Sequence, residues 1–252
     1  MEQHEQNSEA KSEHEAFPRV QVPEIDVVLP AHLVNAGRER AKAAEKRVKE
    51  HLLAELTKLG LHWGDAIFIR VFKEEKTLEV FMKDRKTGKF TLFRRYETAA
   101  MSGELGPKLR EGDGQVPEGF YYASASSMRP DSNFHLAVNC GYPNAYDIAH
   151  QRTGSYIMIH GARASIGCVA MTDLLIEEIY TLSAAALAGG QKIIRIHFFP
   201  FRMTAERMKR EENNQWYPFW SNLKEGYDWF ETLQIPPDAT VEMNRYIFRK
   251  EP

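Results

Sequence analysis

The residues of this chain with the clearest chemical potential are a histidine and a cysteine eight positions apart, His160 and Cys168. A cysteine is a good nucleophile only as its thiolate, and a neighbouring imidazole or the N-terminus of a helix lowers the thiol pKa enough to supply one. An apolar stretch, 156–159, ends at His160, and mostly small residues lead on to Cys168. A tight hairpin would bring the two side chains together, so the spacing permits a cysteine nucleophile activated by a neighbouring imidazole.

Gly167, directly before this cysteine, predicts an oxyanion site. Glycine has no Cβ, so a substrate carbonyl can approach the backbone closely at this position. The amide N–H groups of Gly167 or Cys168 would then stabilise the negative charge that develops on the carbonyl oxygen. The stretch from His160 to Cys168 therefore contains the parts needed for acyl transfer.

The residues alone leave other uses of these side chains open. Cys168 is also compatible with a buried, unreactive thiol or with a disulfide to Cys140, the only other cysteine of the sequence. His160 by itself is compatible with a hydrogen-bonded histidine of the core. The catalytic prediction depends on the partnership of the two residues.

Several polar and aromatic residues are candidates for contact with a substrate. Arg163 lies between His160 and Cys168, where its guanidinium either binds a substrate carboxylate or is solvated at a loop tip. Asp147 either lines a substrate groove or caps a turn. The remaining candidates are Ser165, Tyr142, Asn144 and Tyr146; the aromatic ones are equally typical of packed loops.

No metal or cofactor is predicted. The histidines at 135, 150 and 160 lack the close paired spacings of zinc sites. The glycines between residues 103 and 114 lack the strand-to-helix context of a phosphate-binding loop. Trp216, Phe219, Trp220 and Leu223 share one helical face, which favours packing onto the domain over a sugar-binding platform.

Helices are predicted near the two ends of the sequence and strands in the middle. Apolar residues recur every three or four positions over 31–59 and again from Leu175 to Ala186, with Thr172 or Asp173 as the N-cap of the second helix. Strand patterns cover 66–72, 77–82, 90–96, 120–123, 134–139, 156–160 and 192–199. Because strands do not alternate with helices, the fold class predicted is α+β.

The composition excludes several classes of protein. Among 252 residues, 43% are hydrophobic and 27% are charged, which suffices for a sizeable core. The formal net charge of −2 gives no sign of nucleic-acid binding. No apolar run approaches the roughly 18 residues of a spanning helix. The start of the sequence shows no export signal, although a mature N-terminus would look the same.

The sequence predicts four segments. Residues 1–17 form a disordered, polar tail, and residues 18–61 form a proline-containing extended strap followed by the amphipathic helix. Residues 62–199 form the catalytic domain. Residues 200–252 form a C-terminal extension packed on it.

The motif His160-Gly161 followed by Ser165-x-Gly167-Cys168-x-x-Met171 resembles the L,D-transpeptidase (YkuD-type) catalytic domains of bacterial peptidoglycan metabolism, and more closely their YafK-like branch. The similarity extends through residues 112–121, 141–147 and 200–204 and covers about 62–252. Ile166 stands where the usual family motif has a second histidine, and the loop between His160 and Cys168 is shorter than usual.

This resemblance implies a β-rich domain with mixed sheets or a β-sandwich, an N-terminal helix and C-terminal helical additions. It implies that Cys168 attacks an amide carbonyl next to meso-diaminopimelate, that His160 is the general base, and that the carbonyl of Gly161 orients its imidazole. Members of the YafK-like branch cut the bond between peptidoglycan and an anchored outer-membrane lipoprotein. The implied partners are therefore peptidoglycan stem peptides and that lipoprotein, in the periplasm, without a cofactor.

Two alternatives stay open at this stage. An L,D-transpeptidase or L,D-carboxypeptidase would use the same Cys168 and His160, because a thioester forms first in each case and only the acyl acceptor differs. A non-catalytic cell-wall binding protein would keep the fold and the groove only.

Overall fold

The computed structural model describes residues 31–250, and within them five α-helices and twelve strands. The predicted tail and the strap before the first helix lie outside the described residues. The helices are α1 (Ala31–Lys58), α2 (Ala145–Ala149), α3 (Asp173–Ala188), α4 (Ala205–Lys209) and α5 (Tyr217–Leu233). The strands are β1 (Ile67–Phe72), β2 (Thr77–Lys83), β3 (Phe90–Glu97), β4 (Ala100–Met101), β5 (Gly119–Ala123), β6 (Met128–Arg129), β7 (Ala137–Asn139), β8 (Met158–His160), β9 (Val169–Ala170), β10 (Ile194–Phe199), β11 (Asp238–Glu242) and β12 (Arg245–Arg249).

The strands form two five-stranded sheets and a hairpin. The first sheet has the order β3-β2-β1-β10-β5, the second has the order β4-β9-β8-β7-β6, and β11 pairs with β12. Both large sheets are mixed, because β1 runs parallel to β10 and β8 runs parallel to β9, whereas their other pairs are antiparallel. The predicted α+β fold with mixed sheets, an N-terminal helix and C-terminal helices is confirmed.

Strand β1 is buried on both of its faces. Ile69 and Val71 point into the main core, which they share with residues of α1, α3 and the second sheet. Phe68 and Phe72 point the other way, into aromatic clusters completed by α5. This placement explains the continuous apolar run at 66–72, since a strand buried on both faces has no reason to alternate apolar with polar residues.

The two long helices of the main core match the sequence pattern closely. In α1 the residues spaced four apart are buried: Ala44, Val48, Leu52 and Leu56. Leu59, predicted to share this face, is 51% exposed because the helix ends one residue earlier. In α3 the N-cap is Thr172, whose side chain accepts a hydrogen bond from the Leu175 amide.

The C-terminal section contains one helix that the sequence predicted and one hairpin that it did not. In α5, Trp220 and Leu223 are fully buried, so the packing interpretation of this face is confirmed. The hairpin β11–β12 turns at Met243 and Asn244, both with positive φ, which is the geometry of tight hairpin turns. Within residues 31–250, no helix combines the length and apolarity needed to cross a bilayer.

Candidate active site

Strands β8 and β9 bring His160 and Cys168 together. The two strands pair in parallel, with Ile159 opposite Val169. Because Cys168 immediately precedes β9, its thiol lies beside Met158 on β8. The Met158 amide donates to Sγ at 3.4 Å, and the thiol lies 3.6 Å from the Tyr156 carbonyl, which accepts from it. The predicted hairpin is wrong, because the loop after His160 crosses between parallel neighbours.

His160 is buried, and a hydrogen bond to the backbone of the next residue orients its ring. Its Nδ1 lies 2.5 Å from the carbonyl oxygen of Gly161. A carbonyl can only accept, so Nδ1 carries the proton and Nε2 presents a lone pair. Burial lowers the pKa of His160, partly offset by the Gly161 carbonyl. The imidazole is therefore neutral and suited to accept a proton.

The thiol of Cys168 is also neutral in the free protein. Burial raises its pKa, and the Met158 amide and the charge of Lys108 only partly oppose this effect. The expectation that the imidazole lowers the thiol pKa is wrong for this state, because an uncharged ring provides no Coulombic stabilisation of a thiolate. Cys140 is also a free thiol, fully buried, so the disulfide alternative is excluded.

A cavity of about 850 Å³ opens over these two residues. Its floor includes Met158, His160 and Cys168. Its walls come from α1, through Ala36 and Arg40, and from the loop that follows β6, residues 130–135. The ring of Phe134 lies 4.8 Å from that of His160.

The predicted oxyanion site is only partly free. The Gly167 amide donates to Oγ of Ser102 at 2.6 Å, so this N–H group is engaged within the protein. Gly167 has φ of +96°, and a Cβ here would lie 3.2 Å from the Gln115 carbonyl oxygen. The glycine is therefore required by the backbone around the nucleophile. Of the two predicted donors, the Cys168 amide stays a prediction.

Ser165 binds the backbone of Cys168 and does not line the cavity. Its Oγ donates to the carbonyl of Cys168 at 2.7 Å and lies 3.1 Å from Oγ of Ser102. The two serines together hold the backbone on both sides of Cys168. Arg163 is exposed on the same loop and is not part of the cavity wall.

The four candidates at 142–147 are not part of the cavity lining, and three of them, Tyr142, Tyr146 and Asp147, are buried. Asp147 is fully buried, accepts from Arg152 at 2.8 Å and from the Tyr121 hydroxyl at 2.8 Å, and forms a capping box with Asn144 at the start of α2. The turn-capping interpretation of Asp147 is confirmed. Burial raises the pKa of Asp147 despite the Arg152 guanidinium.

The aromatic candidates of this segment are packed as well. Tyr142 donates to the carbonyl of Lys108 or Thr153, and Tyr146 stacks on Tyr246 at 4.4 Å. Tyr142 and Tyr146 were candidates for substrate contact, but both side chains are buried and neither lines the cavity.

Helix α1 contributes to the cavity wall, which no sequence pattern predicted. Nη1 of Arg40 donates to the carbonyls of Ser132 at 2.9 Å and His135 at 2.6 Å. Gly37 brings the helix backbone against Asp131, since a Cβ at Gly37 would lie 2.9 Å from that amide. More than 90 residues separate Arg40 from the loop it holds, so no local pattern could have indicated the contact.

Comparison with known proteins decides the family. Residues 66–194 match the model of the YkuD family, the L,D-transpeptidase catalytic domain. The chain belongs to this family. The matched range contains Cys168, His160 and every cavity residue outside α1.

Two curated relatives extend the match. The proteins named "Putative L,D-transpeptidase YafK" from Escherichia coli K12 and O157:H7 are each 43% identical to this chain over 187 residues, which cover 74% of this chain and 75% of theirs. These matches place the chain among enzyme domains of bacterial peptidoglycan metabolism and support the YafK-like branch.

Solved structures with similar folds are more distant. The helical cell shape determining protein Pgp2 of Campylobacter jejuni, as its K307A mutant, is 20% identical with a TM-score of 0.44, over 73% of this chain and 63% of that one. Bdellovibrio bacteriovorus Bd1075 is 22% identical with a TM-score of 0.38, over 66% and 58%. This chain thus spans less than two thirds of either solved chain.

Proposed function

We propose that this protein is a cysteine amidase that cleaves the amide bond at meso-diaminopimelate linking peptidoglycan stem peptides to an outer-membrane lipoprotein. The observation that carries the proposal is the shared cavity of Cys168 and His160, with the imidazole oriented by the Gly161 carbonyl. The periplasm is the compartment that holds this substrate, and we propose it as the place of action.

The reaction proceeds through a thioester. As Sγ of Cys168 adds to the amide carbonyl, Nε2 of His160 takes the thiol proton, and the Cys168 amide is the proposed donor to the oxyanion. The tetrahedral intermediate collapses, the C–N bond breaks, and His160 returns the proton to the leaving amine. Cys168 then carries the diaminopimelate carbonyl as a thioester.

The acceptor determines the net reaction. Water, deprotonated by the neutral His160, adds to the thioester; the C–S bond then breaks, His160 returns the proton to Sγ of Cys168, and the stem peptide leaves with a free carboxylate, which makes the enzyme a hydrolase. An amine of a second stem peptide would instead give a crosslink. We propose water, because the motif around Cys168 lacks the second histidine of the usual crosslinking pattern and resembles that of the YafK-like branch.

Mass spectrometry of peptidoglycan carrying covalently bound lipoprotein tests this proposal. Wild-type protein should release the C-terminal peptide of the lipoprotein and leave a free stem tripeptide, whereas Cys168→Ala should release neither. New amide adducts in the wild-type reaction would identify a transferase. No difference between wild type, Cys168→Ala and buffer would favour a non-catalytic binding protein.

A further inference from the structure

Arg129 is a cation of the cavity wall whose charge no described residue neutralises. It ends β6 and lines the same cavity as Cys168 and His160. Its side chain is half-buried, yet within residues 31–250 no carboxylate forms an ion pair with it and no acceptor takes a hydrogen bond from its guanidinium. A guanidinium that has lost part of its hydration without gaining a partner is an unusual arrangement, since buried charges are ordinarily paired.

Other arginines of the described protein differ in this respect. Arg40 donates to loop carbonyls, Arg47 pairs with Glu177 at 2.5 Å, and Arg152 pairs with Asp147. Arg163, predicted from sequence to bind a carboxylate, is exposed and outside the cavity wall. Arg129 is therefore the arginine whose position and free donors fit an anion inside the cavity.

Strand register fixes the position of Arg129 relative to the general base. Arg129 lies opposite Ala137 on β7, and Ala137 lies opposite His160 on β8. Residues in one such row project from the same face of a sheet, and two strand spacings separate their backbones by about 10 Å. The pairing of the strands therefore fixes the backbone separation of Arg129 and His160, which line one cavity. The loop after β6 is held in place by the hydrogen bonds of Arg40.

We propose that Arg129 binds a carboxylate of the substrate several bonds away from the scissile amide and so aligns the carbonyl with Cys168. This inference rests on the proposed function. A guanidinium presents a planar fork of donors that matches a carboxylate in a bidentate pair. Asp131 and Asp173 also line the cavity, so the wall carries both signs of charge, as suits a ligand group with a carboxylate beside an ammonium.

Two carboxylates on the residues joined by the scissile amide could fill this role. One is at the far end of the diaminopimelate side chain, beside its free amine, and the other is on the C-terminal residue of the leaving peptide. The test uses three synthetic substrates: a stem peptide whose diaminopimelate carbonyl is joined to the side-chain amine of lysine, and its two derivatives with one or the other carboxylate converted to a carboxamide.

In the wild-type protein, amidation of the bound carboxylate should lower kcat/KM by about 10- to 100-fold, the range for losing a charge-assisted pair. Arg129→Gln should lose a similar factor on the parent substrate, mainly through KM, and should no longer distinguish that derivative from the parent. Arg129→Lys should recover part of the discrimination. Arg38→Gln, on the exposed surface of α1, is the matched control and should behave as wild type.

The derivative that loses activity identifies which carboxylate binds. If Arg129→Gln still discriminates as strongly as wild type, or if Arg163→Gln rather than Arg129→Gln removes the discrimination, the proposal is overturned. Because Arg129 has no partner in the described protein, Arg129→Gln should also leave the Tm unchanged. A lower Tm with equal losses on all three substrates would assign it a structural role instead.

Binding measurements separate this inference from the proposed function. Calorimetry with Cys168→Ala, alone and combined with Arg129→Gln, reports affinity for the same three peptides without turnover. If wild type cleaves none of them, the amidase proposal fails, while selective loss of affinity in the double variant still supports the role of Arg129. Equal affinity in both proteins refutes that role whatever the turnover shows.

Discussion

Alkylation of Cys168 as a function of pH tests whether the nucleophile is stored as a thiol or as a thiolate. The structure predicts a thiol, because burial raises its pKa above the ordinary value of 9.0. At pH 7 the thiolate fraction is then below about 1%, and the rate of alkylation by iodoacetamide should increase about tenfold per pH unit from pH 6 to 9.

The variant His160→Ala separates two roles of the imidazole. A neutral general base acts only when substrate is present, so its removal should lower turnover by about 10²- to 10⁴-fold while changing the alkylation profile little. A stored ion pair of thiolate and imidazolium would behave differently. It would give a rate plateau between about pH 5 and 8 that disappears in the variant.

The measurement reports on a single thiol. Cys140 is fully buried and burial raises its pKa well above the ordinary value, so it should not react. Cys140→Ala serves as the control and should give the wild-type profile, with the label located on Cys168 by mass spectrometry. A plateau at neutral pH that requires His160 would refute the assignment of a neutral pair.

Three further predictions concern the elements around the site. Arg40→Ala should increase hydrogen exchange in 130–135 and destabilise this loop by about 1–3 kcal/mol, because charged hydrogen bonds to its carbonyls are lost; unchanged exchange would contradict this. Gly167→Ala should lower both Tm and activity, because the positive φ costs about 1–3 kcal/mol in backbone strain and the new Cβ would crowd the Gln115 carbonyl. Gly88→Ala is the control and should keep full activity, since Gly88 also has a positive φ, of +71°, but no atom lies near the position of its Cβ. Burial lowers the pKa of His197 well below 6.5, so the folded state disfavours protonation of this side chain. The free energy of unfolding should therefore be independent of His197 above about pH 6.5 and should decrease by up to about 1.4 kcal/mol per pH unit below it. Urea titrations of His197→Phe should show a weaker dependence of this free energy on pH.

The proximity of His160 and Cys168 could be predicted because its signal is local. An apolar strand that ends at His160 and a glycine before Cys168 are contained in one short stretch, whose strands β8 and β9 are neighbours in one sheet. The same holds for α1 and α3, whose apolar spacing directly reports the buried face.

The walls of the cavity could not be predicted, because they depend on contacts between distant segments. Arg40 lies on a long helix and Arg129 in a two-residue strand, and neither pattern distinguishes a solvated arginine from a functional one. Substrate contact by the segment 142–147 was a misleading prediction for the opposite reason. Its polar residues look available in the sequence, but the carboxylate of Asp147 already accepts hydrogen bonds from Arg152, from Tyr121 and from the backbone at the start of α2.

The burial of β1 on both faces has a consequence for how the protein can be shortened. Because α5 and the hairpin β11–β12 supply the aromatic layer over Phe72 and Phe199, removal of the residues after 199 would leave one whole side of the first sheet in water. Such a truncation should aggregate even though it keeps Cys168, His160 and Arg129. We expect the sheet and its C-terminal layer to unfold in one cooperative transition, so the segment after residue 199 is part of the enzyme's folding unit and cannot be removed as an appendage.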